Sequence, residues 1–428
     1  MEINKTIIKK IGFNCFLIGI FILPTMLFFS AILILTAGII GCLITNKKYL
    51  EDNLNRLIVF SGILIIISTC IHQINFSSSY RDILDPKLSL VGILNWIPFF
   101  WLFWAIQPYL DSIEKRRKTA LFLIAGTFPV LVSGFGQYFF DWTGPLETLK
   151  GLIIWYQRPL GNHGLTGPFN NQNYAGSWFS FIWPFTIALN IEKTRNKYTR
   201  TISIIFLVAI CLAIILTNSR NAWGGMILAV PLVLGSSNLY WFVPIVIFLL
   251  VILFITSFPI SNGALQDNLR LIIPQKIWME FVNKINLSRA DIFLSAFNIS
   301  LLNPLFGLGA ASFPIIFELE KGIWRGHPHN LFLELAISYG YPATILLTTI
   351  IIIILKNSAK IIFVKKSIYD KFIFFDKAWW ASIFIFLISQ TVDVQYFDGR
   401  ISIVFWILLA GLKAIVDEKK LNLIDKKS

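Results

Sequence analysis

Long, unbroken runs of apolar residues occupy most of this chain, and they constrain its fold more than any other feature. A helix that crosses a bilayer needs roughly 20 apolar residues, so twelve such helices would need roughly 240. The 56% hydrophobic share of the 428 residues matches that requirement, and only 14% of the residues are charged. The runs do not alternate with polar residues, which excludes a β-barrel, and their length excludes disorder. We therefore predict a single all-α membrane domain of about twelve transmembrane helices.

The predicted spans are separated by polar, charged or proline residues, and Pro24 marks the break between the first two. They cover residues 11–28, 29–45, 57–71, 90–110, 119–140, 174–191, 201–217, 222–236, 239–258, 331–355, 378–396 and 400–412.

The net charge of +14 is explained by the distribution of Lys and Arg around these spans. With the N-terminus in the cytoplasm, 25 of the 37 basic residues fall in cytoplasmic segments. This asymmetry is typical of inner-membrane proteins and predicts that both termini are cytoplasmic. We interpret the charge as a topology signal and expect no nucleic-acid partner. Four cysteines lie inside apolar runs without metal-ligand spacing, which favours packing over disulfides: Cys15, Cys42, Cys70 and Cys211.

This topology puts two unusual loops on the outer face, at 141–173 and at 259–330, while 417–428 forms a charged cytoplasmic tail. The longer loop has 72 residues and is long enough for structure of its own. Ionisable residues are almost absent from the span interiors, where Glu334 and Asp393 are the exceptions. An ion-coupled carrier usually needs such residues as relay groups. Their scarcity argues against ion-coupled transport, but it is compatible with a facilitator or a lipid flippase.

Two polar stretches precede predicted spans on this face. Residues 164–173 form a loop rich in Gly and Asn, whose asparagines could cap the sixth span, and this loop ends at Asn173. Ser219 and Arg220 lie in the short loop before the eighth span. A lone outer arginine either snorkels to lipid headgroups or binds an anionic ligand.

Two further stretches lie in the long loop. Ser288 begins a segment with helical apolar spacing that places Arg289 in its first turn, so we predict an amphipathic helix lying on the outer leaflet. The stretch from Trp324 to Asn330 leads into the tenth span and contains Arg325, His327 and His329, with Glu334 one turn further on. The two histidines have no third ligand at motif spacing, so we expect no metal.

The predicted topology also points the N-termini of the sixth, eighth and tenth spans outward. Helix N-termini carry free amides and partial positive charge, and arginine forks suit diphosphate oxygens. Arg220 and Arg289 beside a histidine therefore predict a site for a lipid diphosphate. The residues expected to bind substrate around it are Asn173, Ser219, Arg325, Asn330 and Glu334.

These stretches resemble the O-antigen ligase and O-antigen polymerase family of bacterial envelope proteins. The matching pieces are Gly167-Pro168-Phe169-Asn170 with Asn173, Ser219-Arg220, Arg289, Pro304 to Gly309, and His329-Asn330 followed by Glu334 and Gly340. The resemblance covers about 170–340. One departure is Gly164, where the family often has an arginine; Arg158 is the nearest candidate.

The resemblance implies an enzyme without metal or cofactor that is active at the periplasmic face of the inner membrane. It would transfer a glycan from undecaprenyl diphosphate to a sugar hydroxyl on a glycan or lipid-linked acceptor. Arg220 and Arg289 would handle the diphosphate, and His329 would be the catalytic base. Family members ligate O-antigen, polymerise repeat units, glycosylate proteins or are linked to bicarbonate accumulation. The alternative is a carrier or facilitator for a small anion or lipid.

Overall fold

The computed structural model describes residues 2–45, 49–74, 83–148, 150, 153–155, 157–161, 163–192, 196–235, 263–272, 289–363 and 372–424, with isolated positions between 236 and 262. The helices in these ranges are α1 Glu2–Ile22, α2 Leu27–Ile44, α3 Asn53–Ile74, α4 Pro86–Ile93, α5 Ile97–Ala105, α6 Ile113–Gly126, α7 Phe128–Phe140, α8 Gln172–Ile191, α9 Lys197–Leu216, α10 Arg220–Leu234, α11 Gly263–Ile272, α12 Arg289–Ser300, α13 Ser312–Lys321, α14 Leu331–Tyr339, α15 Tyr341–Ile362, α16 Ile373–Ser389 and α17 Gly399–Ile424. A short antiparallel hairpin pairs β1 Leu146–Thr148 with β2 Ile153–Trp155, with Leu146 opposite Trp155.

Seven helical segments in the described part of the chain are long and apolar enough to cross a membrane. They are Leu27–Ile44, Asn53–Gln73, Pro86–Ala105, Ile113–Phe140, Lys197–Leu216, Tyr341–Ile362 and Gly399–Glu418, and α10 is a shorter apolar helix. The predicted all-helical membrane class is therefore confirmed. The number of twelve stays a prediction, and the ninth predicted span, 239–258, lies largely outside the described residues.

Three predicted spans are each divided into two helices. The fourth is divided between α4 and α5, the fifth at Thr127, and the tenth at Gly340. The second helix carries a proline in its first turn each time: Pro98, Pro129 and Pro342. Proline lacks an amide hydrogen and clashes with the preceding turn, so it fits the start of a helix and ends the one before it. The prediction of a single helix over 331–355 was therefore wrong.

Gly340 makes the sharpest of these breaks. Its φ of +85° lies in the region that favours glycine, and a Cβ there would collide with the carbonyl oxygen of Leu305. The turn that follows α12 docks at this break, because Leu308 N donates to Ile337 O at 2.6 Å and Tyr341 N donates to Pro304 O at 2.8 Å. This junction fixes α14 relative to the turn after α12.

The predicted helix around Arg289 is present as α12. Its buried face packs on α13 and α14 through Ile292, Ala296 and Ile299. Its exposed positions are mixed, since Phe293, Leu294 and Phe297 are exposed beside Asp291 and Asn298. Its position on the outer leaflet stays a prediction.

Helix α8 is the centre of the bundle. All residues from 175 to 189 are buried, and the helix packs against α9, α10 and α16. At the N-terminal end of α16, Arg116 is fully buried and pairs with Asp376 at 2.8 Å and with Glu418 at 2.9 Å. These contacts tie α6, α16 and α17 together, so the other end of α16 has a fixed position beside the start of α8.

Candidate functional site

His329 and Asp393 form the most prominent polar pair of the site. Nδ1 of His329 lies 2.9 Å from Oδ1 of Asp393, which follows α16 in the chain. The carboxylate also accepts hydrogen bonds from Asn173 Nδ2 at 2.9 Å, Gln395 Nε2 at 2.7 Å and the backbone amide of Val394 at 3.0 Å. Because all these partners donate, Asp393 acts as an ionised acceptor and His329 donates from Nδ1.

The ionised state of Asp393 follows from its surroundings. Burial alone would raise the pKa of this carboxyl, but the hydrogen bond from His329 and the neighbouring imidazoles hold the pKa below its ordinary value. Only 5% of the side chain is exposed, so the charge sits where its effect on His329 is large.

The backbone holds His329 in an unusual conformation. Its φ is +55°, in the left-handed region, which is uncommon for a residue with a side chain. The next residue, Asn330, caps α14 by accepting from Leu333 N at 3.0 Å and donates from Nδ2 to Thr391 O at 3.1 Å. Leu331 N also donates to Gln390 O at 2.9 Å. Strain at a single residue persists where its neighbours are fixed in this way, and it often marks a functional position.

His327 is the third member of this group. Its ring centroid lies 4.5 Å from that of His329, and its Nε2 lies 3.8 Å from Oδ1 of Asp393. Burial, together with the neighbouring His329 and Arg289, lowers the pKa of His327 to about 4 although Asp393 opposes the shift, so this imidazole is neutral at pH 7. A metal-ligating atom of each of the three residues lies within 4.8 Å of the others. Sequence spacing missed this third candidate ligand because it lies 64 residues beyond His329.

Of the two arginines, Arg289 has direct contact with this group. It is the first residue of α12, and its Nη1 donates to Val392 O at 3.1 Å, one residue before Asp393. Arg220 is the first residue of α10. The residue after it, Asn221, donates to Ser389 Oγ at 2.9 Å. Ser389 donates to Gln395, which in turn donates to Asp393. The segment 389–395 thus receives contacts from both arginine-bearing helix starts.

Three other predicted residues have different surroundings. Glu334 is buried, with Oε1 at 3.4 Å from Ser338 Oγ and with no partner for Oε2 in the described part of the chain. Helix α14 has nine residues and is not among the candidate spans, and burial there raises the pKa of Glu334 to about 7. Arg325 Nε is likewise buried without a hydrogen-bond partner among the described residues. Ser219 is buried at the N-cap of α10, and its side chain makes no capping hydrogen bond.

Residues 205–348 match the family model described as O-antigen ligase. This match, over about a third of the chain, supports a relation to the O-antigen ligase family. The match contains Arg220, Arg289 and His329, whereas Asn173 and Asp393 lie outside it. The family consists of membrane proteins that transfer glycans as ligases or polymerases, and it implies a lipid-linked glycan substrate. No curated protein matches the chain.

The departure from the family pattern at Gly164 has a steric explanation. A Cβ at this position would collide with the carbonyl group of Thr217, and the amide of Gly164 donates to Gln172 Oε1 at 2.5 Å. The amide of the next residue, Leu165, donates to Leu216 O at 2.8 Å. An arginine side chain at position 164 therefore does not fit against the backbone of Thr217. Arg158 lies in an exposed part of the same loop.

Arg400 is a residue that sequence reasoning missed, and it shapes the loop before α8. It lies over the ring of Phe169 at 4.0 Å, donates to Pro168 O at 2.8 Å and pairs with Asp398. Asp393 was visible in the sequence as an ionisable residue near the end of an apolar span, a pattern that by itself indicates function. Arg400 offered no such signal, because a basic residue at a span boundary is ordinary.

Proposed function

We propose that this protein is a metal-independent, inverting glycosyltransferase. It transfers a glycan from undecaprenyl diphosphate to a sugar hydroxyl at the periplasmic face of the bacterial inner membrane. The observation that carries the proposal is the pairing of His329 with a buried carboxylate beside Arg289. An imidazole base with a fixed orientation can activate an acceptor hydroxyl, and the guanidinium of Arg289 beside it can stabilise a diphosphate leaving group.

In the proposed reaction the acceptor oxygen attacks the anomeric carbon as the bond to the diphosphate breaks. The acceptor's proton passes to Nε2 of His329, and the bonding electrons leave with the diphosphate. Asp393 keeps the proton on Nδ1, which leaves the lone pair of Nε2 available, and it stabilises the imidazolium that forms. Attack from the side opposite the diphosphate inverts the anomeric configuration.

Arg220 and Arg289 neutralise the departing diphosphate and replace the metal that many transferases use. Guanidinium groups bind phosphate oxygens through two parallel hydrogen bonds, and stabilising charge that develops in the transition state lowers the barrier. Each arginine is the first residue of a helix, so the free amides of α10 and α12 add to the positive potential.

The remaining predicted residues divide into supporting and substrate-binding roles. Asn173 orients Asp393 and Asn330 fixes the start of α14, as their contacts indicate. Arg325, whose side chain is only partly buried, contacts a glycan oxygen. Ser219 positions Arg220 at the start of α10, and Glu334 supports α14 from within.

Transfer is tested in proteoliposomes that contain the purified protein, an undecaprenyl-diphosphate glycan from the host strain and its isolated surface-glycan acceptor. We expect transfer in the presence of EDTA by the wild type and by His163→Gln, a control at an exposed histidine, but not by His329→Ala. A strain that lacks the gene should lose ligated glycan if the protein is a ligase and glycan chain length if it is a polymerase. Anion or lipid movement across sealed vesicles without any transfer would favour the carrier alternative and contradict the proposal.

A further inference from the structure

We propose that His327, His329 and Asp393 form an inhibitory binding site for a divalent transition-metal ion, with Zn²⁺ as the reference ligand. The binding site stands on its geometry, whereas its inhibitory effect rests on the proposed role of His329 as a base. The ion is an antagonist of the reaction and takes no part in catalysis.

The geometry of the three side chains suits this ion. Zn–N and Zn–O bonds of about 2.0–2.1 Å in a tetrahedron place neighbouring ligand atoms about 3.3 Å apart. Nδ1 of His329 and Nε2 of His327 lie 2.9 Å and 3.8 Å from Oδ1 of Asp393, on either side of this value. The closure of such a site needs only small rotations of two imidazoles that are about one-third and one-quarter exposed.

The carboxylate of Asp393 already has the orientation that a metal ligand needs. Oδ2 of Asp393 accepts from Asn173 and from Gln395, which leaves Oδ1 directed at both histidines. Outer partners of this kind orient ligands and are needed for full metal affinity. Three protein ligands with one side open to solvent match sites in which a fourth position is taken by water.

A metal ion bound at this site prevents His329 from acting as a base. The metal displaces the proton that Nδ1 of His329 shares with Asp393, and the neutral imidazole then carries its proton on Nε2. An Nε2 that bears a proton has no lone pair with which to accept the proton of a sugar hydroxyl. The metal also neutralises the carboxylate charge that stabilises the imidazolium.

The test uses the purified full-length protein, washed with EDTA and titrated with ZnCl₂ by calorimetry and in the transfer assay. We expect one saturable site per chain and inhibition that EDTA reverses. Inhibition of His327→Gln is expressed relative to its own transfer rate without metal, and this variant should need at least tenfold more Zn²⁺ for half inhibition. Loss of an outer partner already costs about 10–100-fold in metal affinity, and His327 is a direct ligand. The matched control is His163→Gln, which should bind Zn²⁺ and be inhibited as the wild type is.

The two proposals fail in different ways. Absence of saturable Zn²⁺ binding to the wild type, or equal inhibition of His327→Gln and wild type, overturns the metal site while leaving the transferase intact. Saturable binding that His327→Gln weakens, in a protein without transfer activity, supports the site and contradicts the transferase. Transfer that requires Zn²⁺ overturns both the inhibitory role and the metal-independent mechanism.

Discussion

The side-chain amide of Asn173 donates a hydrogen bond of 2.9 Å to Oδ2 of Asp393, although 220 residues separate the two in the chain. This contact joins the first turn of α8 to the segment after α16. Because Oδ2 is held in this way, Oδ1 is left to face His329. In the proposed reaction, Asn173 and Asp393 therefore act through the orientation of the imidazole.

We expect Asn173→Ala to reduce transfer by about 10- to 100-fold, since a hydrogen bond to a charged group contributes about 1.5–3 kcal/mol. Asp393→Asn should cost more, about 10²–10⁴-fold, because it removes the charge that orients the base. Rates and KM are measured in the proteoliposome assay, with Glu320→Gln on α13 as a control for an exposed acid. A positioning role predicts a loss in kcat with little change in KM; a loss confined to KM would show that Asn173 binds substrate directly.

The second prediction separates proton transfer by His329 from hydrogen bonding. His329→Ala and His329→Gln should both lose about 10²–10⁴-fold in rate, the usual contribution of a general base. Glutamine can donate and accept hydrogen bonds but does not take up a proton at this pH range. If His329→Gln transfers glycan at nearly the wild-type rate, His329 only positions the acceptor.

The third prediction concerns the two arginines at the helix starts. Arg220→Ala and Arg289→Ala should each remove about 2–4 kcal/mol of transition-state stabilisation, which slows transfer by about 30- to 1,000-fold. Lysine should restore only part of the activity, because it keeps the charge but loses the planar fork. The amount of each variant in the membrane is measured alongside the rate. Full activity of both alanine variants would place the diphosphate elsewhere.

The fourth prediction is a pH dependence of stability that originates at Glu334. Its pKa is raised by burial to about 7 in the folded protein, against an ordinary value of 4.5. The folded state therefore holds a proton that the unfolded state has released, so the free energy of unfolding falls as pH rises from about 4.5 to 7. Glu334→Gln should remove a penalty on the order of 3 kcal/mol at pH 8 and change little at pH 4.5. Thermal unfolding in detergent over this range measures it, and parallel curves for the two proteins would contradict the prediction.

The fifth prediction is the orientation in the membrane. In a background without the four native cysteines, single cysteines at His163 and Lys321 should react with a membrane-impermeant thiol reagent in intact spheroplasts. A cysteine at Lys360, an exposed residue near the end of α15, should react only after lysis. The opposite pattern would reverse the predicted topology and with it the periplasmic location of the site.

The sequence was sufficient to predict the helical membrane class and the helix around Arg289. Hydropathy alone could not locate the breaks at Thr127 and Gly340, because apolar residues continue on both sides of them. Proline at the second position after each break was the available signal.

The contacts between the site residues could not be predicted from the sequence. Asn173 and Asp393 meet only because α8 packs against α16, and no local pattern encodes that contact. The exposure of Phe293 and Phe297 on α12 was missed for another reason: both fit helical apolar spacing, but spacing alone does not say which apolar positions are buried. The buried pair of Arg116 with Asp376 likewise joins residues 260 positions apart.

The junction at Gly340 has a consequence for engineering. Its hydrogen bonds run from the turn at 304–309 to residues 337–341, so they all lie downstream of α12. A chimaera that exchanges residues 236–288 for the corresponding stretch of a related protein keeps every one of these contacts. We expect such an exchange to alter the choice of acceptor while the spacing between Arg289 and His329 is preserved. The chimaera would thus inherit the native junction, which lies wholly on the C-terminal side of Arg289.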